Sequence, residues 1–124
     1  MTCVDSSVVI AWLDGTEYPE AQALDALIQN DAAFIAPIAI TEIFSNAKSG
    51  PAVADAMAAF RVLDLKPGYW ERAGAMRAAL RRDGRKAPIA DALIAQAAID
   101  ADLPLLTRDA DFKAYAKLFA LKLA

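Results

Sequence analysis

The 124-residue chain contains no histidine and a single cysteine, Cys3. These absences exclude an internal disulfide and most zinc sites, because zinc is usually bound by cysteine and histidine. They also exclude Ser-His-Asp and Cys-His catalytic arrangements. A lone cysteine is consistent with a reducing compartment. Metal or acid–base chemistry in this chain is therefore expected to use oxygen ligands.

Basic residues are missing from the first third of the chain, and Lys48 is the first lysine or arginine. A secretory signal needs a basic start and an unbroken apolar run, whereas here Asp5 interrupts the apolar residues. No apolar stretch reaches the roughly 18 residues of a membrane span. We therefore expect a cytoplasmic protein without a membrane segment. The net charge of −3 argues against broad electrostatic binding to nucleic acid but leaves room for a local basic patch.

The chain is 57% hydrophobic and has the length of one domain, residues 1–124. Short apolar runs alternate with segments of helical periodicity. This alternation predicts an α/β fold, with a central, mostly parallel sheet of four or five strands and helices on both faces. Strands are predicted at 2–4, 33–36, 61–65 and 103–107, with an edge strand at 120–123 left open, and helices at 20–30, 38–48, 52–60, 69–82, from 88 onwards, and 113–118.

Four acids fall at equivalent places in this pattern. Asp5 follows the first strand, Glu42 lies near the start of the helix after the second, Asp91 lies in the first turn of a later helix, and Asp109 follows the fourth strand. Ligands of parallel sheets gather at the carboxyl ends of the strands. Like charges brought to ~4 Å repel by about 4 kcal/mol, so such a cluster must protonate, pair with bases or bind a cation. An all-oxygen site suits Mg²⁺ or Mn²⁺.

Two of these acids also have a purely structural explanation when each is taken alone. Asp5 and Ser6 could cap the helix that follows the first strand, because both side chains accept hydrogen bonds from free N–H groups. Glu42 could be an ordinary first-turn acid that the helix dipole favours. The functional interpretation therefore depends on the four acids occurring together.

Four motifs occur in the order and spacing of one domain: Val-Asp-Ser-Ser-Val-Val-Ile-Ala-Trp-Leu at 4–13, Ile-Thr-Glu-Ile at 40–43, Ala-Asp-Ala-Leu-Ile-Ala at 90–95, and Leu-Leu-Thr-Arg-Asp-Ala-Asp-Phe at 105–112. Together they resemble the PIN-domain ribonucleases, and most closely the VapC-type toxins of bacterial type II toxin–antitoxin pairs. The resemblance covers essentially the whole chain, and the length agrees.

The resemblance implies a Mg²⁺-dependent endoribonuclease, with Mn²⁺ as an alternative metal. Asp5 and Asp91 are then the firmest metal ligands, Asp109 completes the site partly through water, and Glu42 orients the attacking water. It also implies three partners: RNA as substrate, a small antitoxin that covers the acids, and a second copy of the chain. Whether one or two metals bind stays open. The supporting positions are Ser6 and Thr107, with Asp111 as a weaker candidate beside Asp109.

Basic residues gather just ahead of Asp91, and Arg108 adjoins Asp109. We expect this group to contact RNA phosphates. The structural alternative is that Arg81 and Arg82 form a helix end favoured by its dipole, with the others solvated. The group comprises Arg77, Arg81, Arg82, Arg85, Lys86 and Arg108.

Other protein classes fit less well. Receiver domains need an acidic pair at the first strand and a lysine near the last, and haloacid dehalogenases need an aspartate where this chain has Ser7. Two alternatives remain open. One is a PIN nuclease of RNA processing or branched DNA without an antitoxin, and the other is a non-catalytic regulatory module whose acids hold a structural cation or no metal.

Overall fold

The structure, a computed structural model, describes residues 1–46 and 50–124. Within them, helices alternate with the four strands of one sheet. The elements in chain order are β1 (Thr2–Val4), α1 (Ser6–Leu13), α2 (Pro19–Gln29), β2 (Ala33–Ile35), α3 (Pro37–Phe44), α4 (Ala52–Met57), β3 (Arg61–Val62), α5 (Tyr69–Arg82), α6 (Ile89–Asp100), β4 (Leu105–Leu106) and α7 (Phe112–Leu118).

The four strands are parallel and lie in the order β3-β2-β1-β4. Each crossover between parallel strands needs a connecting segment, usually helical, which is why the strands alternate with helices. The predicted α/β class and parallel sheet are thus confirmed, and β1 lies in the interior of the sheet, between β2 and β4. The possible edge strand at 120–123 is not a full strand. It forms one parallel bridge, between Leu123 and Leu105 of β4.

Several predicted elements were too long. The strand predicted at 61–65 is confined to Arg61–Val62, the one at 103–107 to Leu105–Leu106, and the helix at 52–60 ends at Met57. Helix α3 ends at Phe44, where the Ser45 hydroxyl donates a hydrogen bond to the Thr41 carbonyl. A side chain that bonds locally to backbone in this way competes with continuation of the helix. The last predicted residues of that helix, 47 and 48, lie outside the described residues.

Two predictions about buried faces were wrong in detail. The apolar spacing in α3 predicts a buried stripe of Ile40, Ile43, Phe44 and Ala47. The Phe44 side chain is instead 48% exposed, and residue 47 lies outside the described residues. Ala39 and Ile43 are the buried residues of this helix, and Phe44 follows Ile43 by one position, which turns it about 100° away around the helix. In α2 the spacing predicts an apolar face of Ala23, Leu24, Leu27 and Ile28. The buried residues are Ala21 and Leu24, whereas Ala23 is exposed.

Helix α6 is the central helix of the fold and packs against α3, α5 and α7. The spacing of Ile94, Ala97, Ala98 and Ala101 predicts one apolar face. In the structure residues 94–98 are all buried, so the middle of the helix is covered on every side, as helices without a polar face usually are. Its alanines let neighbouring elements approach closely from several directions. This burial fixes the position of Asp91 in the first turn. The buried residues are Ala92, Ile94, Ala95, Gln96, Ala97 and Ala98.

In the part of the chain that the structure describes, no helix combines the length and apolarity needed to cross a membrane.

The position of Cys3 gives a direct test of the fold. Cys3 is fully buried in β1, and burial raises the pKa of its thiol to about 12. Because the thiolate is the reactive form, we expect Ellman's reagent at pH 8 to leave the native protein unlabelled. The same reagent should label one thiol per chain in concentrated urea. Rapid stoichiometric labelling without denaturant would contradict the placement of β1 inside the sheet.

Candidate active site

The carboxylate of Asp5 lies at the end of β1 and is held by hydroxyl groups. The residue is the N-cap of α1, but its side chain makes no capping hydrogen bond there. Asp5 is only 4% exposed, and its Oδ2 accepts hydrogen bonds from Ser7 at 2.7 Å and Thr107 at 2.8 Å. The capping explanation for Asp5 therefore fails, and its carboxylate faces the edge of the sheet.

Glu42 is connected to Asp5 through Ser6. The Ser6 hydroxyl lies 3.0 Å from Oε1 of Glu42 and 3.5 Å from Oδ1 of Asp5. A hydroxyl has one hydrogen to donate, and the shorter distance assigns that hydrogen to Glu42. Burial and the nearby charge of Asp5 both raise the pKa of Glu42, and the Ser6 hydrogen bond opposes them. Helices α1 and α3 thus bring these two acids to one place.

Asp91, Asp109 and Asp111 form a second group. Each offers a carboxylate oxygen, and these oxygens lie within 4.8 Å of one another. The Asp109 N–H donates to the Thr107 hydroxyl at 3.0 Å, and the Asp111 N–H donates to Oδ1 of Asp109 at 2.9 Å. Thr107 therefore links this group to Asp5, since its hydroxyl also donates to the Asp5 carboxylate.

The acids of both groups affect the pKa of Asp91. Its pKa is raised to about 7, first by burial and then by the negative charges of the other acids. A carboxyl group so disfavoured in its charged form is a recurrent property of functional sites. The acids that raise it are Asp109, Asp5, Glu42 and Asp111, in decreasing order.

Of the four acids that the sequence singled out, Asp91 and Asp109 belong to the group within 4.8 Å. Asp5 and Glu42 are not members of that group, but their charges are near enough to raise the pKa of Asp91. Asp111, the weaker candidate, is part of the same group, because one of its carboxylate oxygens lies within 4.8 Å of those of Asp91 and Asp109. The donors are carboxylate oxygens, crowded and partly buried, which fits a hard divalent cation such as Mg²⁺ or Mn²⁺. A cation at this place would offset the repulsion that raises the pKa of Asp91.

The basic residues that were predicted as one group lie in different surroundings in the structure. Arg85 and Lys86 line a cavity of about 330 Å³ that Asp91 and Asp111 also line. Arg77 instead donates to the Ala87 carbonyl at 2.7 Å and so braces the loop before α6.

The remaining basic residues lie elsewhere. Arg81 and Arg82 are exposed in the last turn of α5, as the structural alternative predicted. The guanidinium of Arg108 lies 3.4 Å from the centre of the Tyr18 ring, a cation–π contact. That contact holds Arg108 beside Asp109.

Three residues near the acids were not identified from the sequence. Ser7 holds Asp5, Tyr18 stacks on Arg108, and Lys113 lines the cavity beside Asp91. The doubled serine after Asp5 was a usable signal for Ser7, because adjacent hydroxyls at a helix start point to different partners. Tyr18 and Lys113 approach only through the folding of distant segments, and their local sequence carries no such signal.

A family model of the PIN domain matches residues 2–118. The chain belongs to the PIN domain family. A comparison with curated protein sequences gives no match.

Solved structures resemble this PIN domain along almost its whole length. VapBC2 from Rickettsia felis, bound to a promoter DNA fragment, has a TM-score of 0.79 at 18% identity and covers 99% of this chain and 96% of its own. VapBC-1 from nontypeable Haemophilus influenzae has a TM-score of 0.77 at 17% identity, covering 99% and 96%. A toxin–antitoxin complex from Klebsiella pneumoniae has a TM-score of 0.70 at 24% identity, covering 95% and 92%. At these identities the likeness shows the shared fold.

The raised pKa of Asp91 predicts a pH-dependent stability in this PIN domain. In metal-free protein the folded state keeps the Asp91 proton up to about pH 7, whereas the unfolded chain loses it near the ordinary value of 3.8. The folded state binds more protons between these values, so the stability that Asp91 contributes falls as pH rises. Asp91→Asn should therefore exceed the wild type in stability above pH 7, by about 1–2 kcal/mol after allowing for solvent screening.

Urea denaturation in EDTA from pH 4 to 8 measures this difference, which should shrink towards zero at pH 4. Asp64→Asn, at an exposed position, is the matched control and should follow the wild type. Equal stability of Asp91→Asn and wild type at pH 8 would show that Asp91 carries no electrostatic strain.

Proposed function

We propose that this PIN domain is a metal-dependent endoribonuclease that acts in the cytoplasm as the toxin of a type II toxin–antitoxin pair. The observation that carries the proposal is the convergence of the other acids on Asp91, whose pKa they raise together with burial. No base neutralises this group among the described hydrogen bonds and ion pairs. A divalent cation is the remaining way to stabilise it in the charged state.

Asp5, Asp91 and Asp109 are proposed to hold Mg²⁺ or Mn²⁺. Asp111 is close enough to Asp91 and Asp109 to join them. The bound cation supplies activation of water and neutralisation of charge on the phosphoryl oxygens. The Thr107 hydroxyl orients the site, because it donates to Asp5 and accepts from the Asp109 backbone.

Glu42 is proposed to orient the attacking water. Its pKa is raised by burial and by Asp5, so it binds a proton more readily than an ordinary glutamate, and Ser6 fixes one of its oxygens. The attack on phosphorus has to be in line with the leaving oxygen, and this requires an accessible backbone. Single-stranded or looped RNA provides that access.

The toxin role is supported by two observations. The solved structures of similar fold include toxin–antitoxin complexes. Large apolar side chains are also exposed on this chain, as surfaces that bind a partner often are. We propose an antitoxin and a second copy of the chain as these partners. The exposed residues include Phe44, Val62, Trp70, Ile89 and Leu118.

Removing one acid tests the proposed chemistry. Asp5→Asn keeps the size of the side chain but weakens its hold on a cation, and it should lower kcat/KM for single-stranded RNA by about 10²–10³-fold. Cleavage is measured on labelled oligonucleotides in Mg²⁺, with Asp64→Asn as the control of unchanged activity. Wild-type cleavage that persists in EDTA would contradict the proposal.

Expression in bacteria separates the competing roles. Growth arrest by the wild type, relieved by Asp5→Asn, supports the toxin. RNA cleavage without growth arrest would favour a processing nuclease, and metal binding without cleavage would favour a regulatory module.

Because the basic residues lie in different surroundings, charge reversal of two different pairs should affect RNA binding differently. Reversing Arg85 and Lys86 to Glu should weaken RNA binding, because both line the cavity beside Asp91. Since neither side chain would then neutralise a phosphate, the slope of log K against log salt should fall by about 1.4 for a single strand. Fluorescence anisotropy near 0.15 M salt measures this.

The pair Arg81 and Arg82, reversed in the same way, is the matched control for charge. At this salt the Debye length is about 8 Å, so charges outside the cavity should matter less. Equal weakening of RNA binding by the two reversed pairs would mean that RNA affinity depends only on the overall charge, and would contradict a specific role for Arg85 and Lys86.

A further inference from the structure

The cavity beside Asp91 has features that metal binding does not use. We call it the Tyr115 pocket. Three cations and two carboxylates line it together with small apolar side chains, and its volume is about 330 Å³. The residues that matter here are Arg85, Lys86, Asp91, Asp111, Lys113 and Tyr115.

The hydroxyl of Tyr115 has no hydrogen-bond partner within residues 1–46 and 50–124. Tyr115 is only 2% exposed. Buried hydroxyls are normally paired, because an unpaired one destabilises the folded protein. The equally buried Tyr69 follows this rule and donates to the Leu93 carbonyl. Tyr115 also lines the pocket, so a ligand that enters the pocket and reaches this covered hydroxyl would supply the missing partner.

The Tyr115 pocket changes character from its mouth to its interior. Arg85, Lys86 and Lys113 are exposed, so they can meet an anion without leaving water. Tyr115 and Leu80 line the same pocket and are buried, so these two side chains offer an apolar surface to a base. A nucleotide has this same polarity, with a charged phosphate at one end and a base with apolar faces and a polar edge at the other.

The pocket and the acid cluster are continuous, because Asp91 and Asp111 belong to both. We propose that the Tyr115 pocket binds the nucleotide of the RNA substrate that adjoins the cleaved phosphodiester. The Tyr115 hydroxyl hydrogen-bonds to its base, and the three cations contact its flanking phosphate. The assignment to RNA rests on the proposed function, whereas binding of a nucleotide does not require catalysis.

Nucleoside monophosphates test this directly. They contain no internucleotide bond, so binding can be measured by NMR titration with and without Mg²⁺. AMP, GMP, CMP and UMP are compared on wild type and Tyr115→Phe. For the nucleotides that bind best, Tyr115→Phe should weaken affinity by about 3- to 10-fold, the usual effect of one hydrogen bond.

The thermal midpoint provides the control for structural damage. Tyr115→Phe should not lower it, because the substitution removes no hydrogen bond within the protein. Tyr69→Phe removes the bond to Leu93 and should lower the midpoint without changing nucleotide affinity. Lys113→Gln should weaken binding about threefold, whereas Lys117→Gln, one turn further along α7 and exposed, should not.

Inorganic phosphate separates the two ends of the ligand. Its binding should respond to Lys113→Gln and not to Tyr115→Phe. Equal weakening of phosphate and nucleotide by Tyr115→Phe would overturn the assignment of the hydroxyl to the base. Nucleotide affinity unchanged in Tyr115→Phe, or no nucleotide binding at all, would overturn the proposed pocket. If the protein binds nucleotides but cleaves no RNA, the nucleotide-binding pocket is supported and only the proposed nuclease function is contradicted.

Discussion

Repulsion among carboxylates is the constraint on which the candidate active site depends. Asp91 cannot move away from the other acids, because it lies in the first turn of α6, and the middle of this helix is buried between α3, α5 and α7. Asp5 cannot turn away either, since Ser7 and Thr107 hold its carboxylate. The fold therefore keeps like charges close together and leaves them to be relieved by a proton or a cation. A site built this way is ordered before its ligand arrives, as metal sites with supporting hydrogen bonds are.

An acidic site that is proposed to act on a polyanion also needs cations close by. In this chain they lie on both sides of the acids. Arg85, Lys86 and Lys113 line the adjoining cavity, while Arg108 is held over the ring of Tyr18. The carboxylates repel a phosphodiester until a cation binds, and the basic rim attracts it at longer range. Metal and substrate binding are thus expected to favour one another.

The sequence predicted the placement of the acids better than their surroundings. Asp5 and Asp109 follow parallel strands, and the shared edge of such strands is a property of topology that hydrophobic patterns reveal. The hydroxyl of Ser7 and the unpaired hydroxyl of Tyr115 depend on side-chain directions and distant contacts, which no local pattern encodes. Phe44 was misplaced because periodicity gives the apolar side of a helix but not where its burial ends. The basic residues were predicted to act as one group because they are close together in the sequence. The structure separates them because neighbours in sequence point to different sides of a helix end.

The central claim, that these acids form a site for a divalent cation, is tested most directly by titrating Mn²⁺ and following its paramagnetic resonance signal. We predict saturable binding that Mg²⁺ displaces, weakened at least about tenfold in Asp109→Asn and unchanged in Asp64→Asn. Absence of saturable binding, or binding that survives Asp109→Asn unaltered, would contradict the claim.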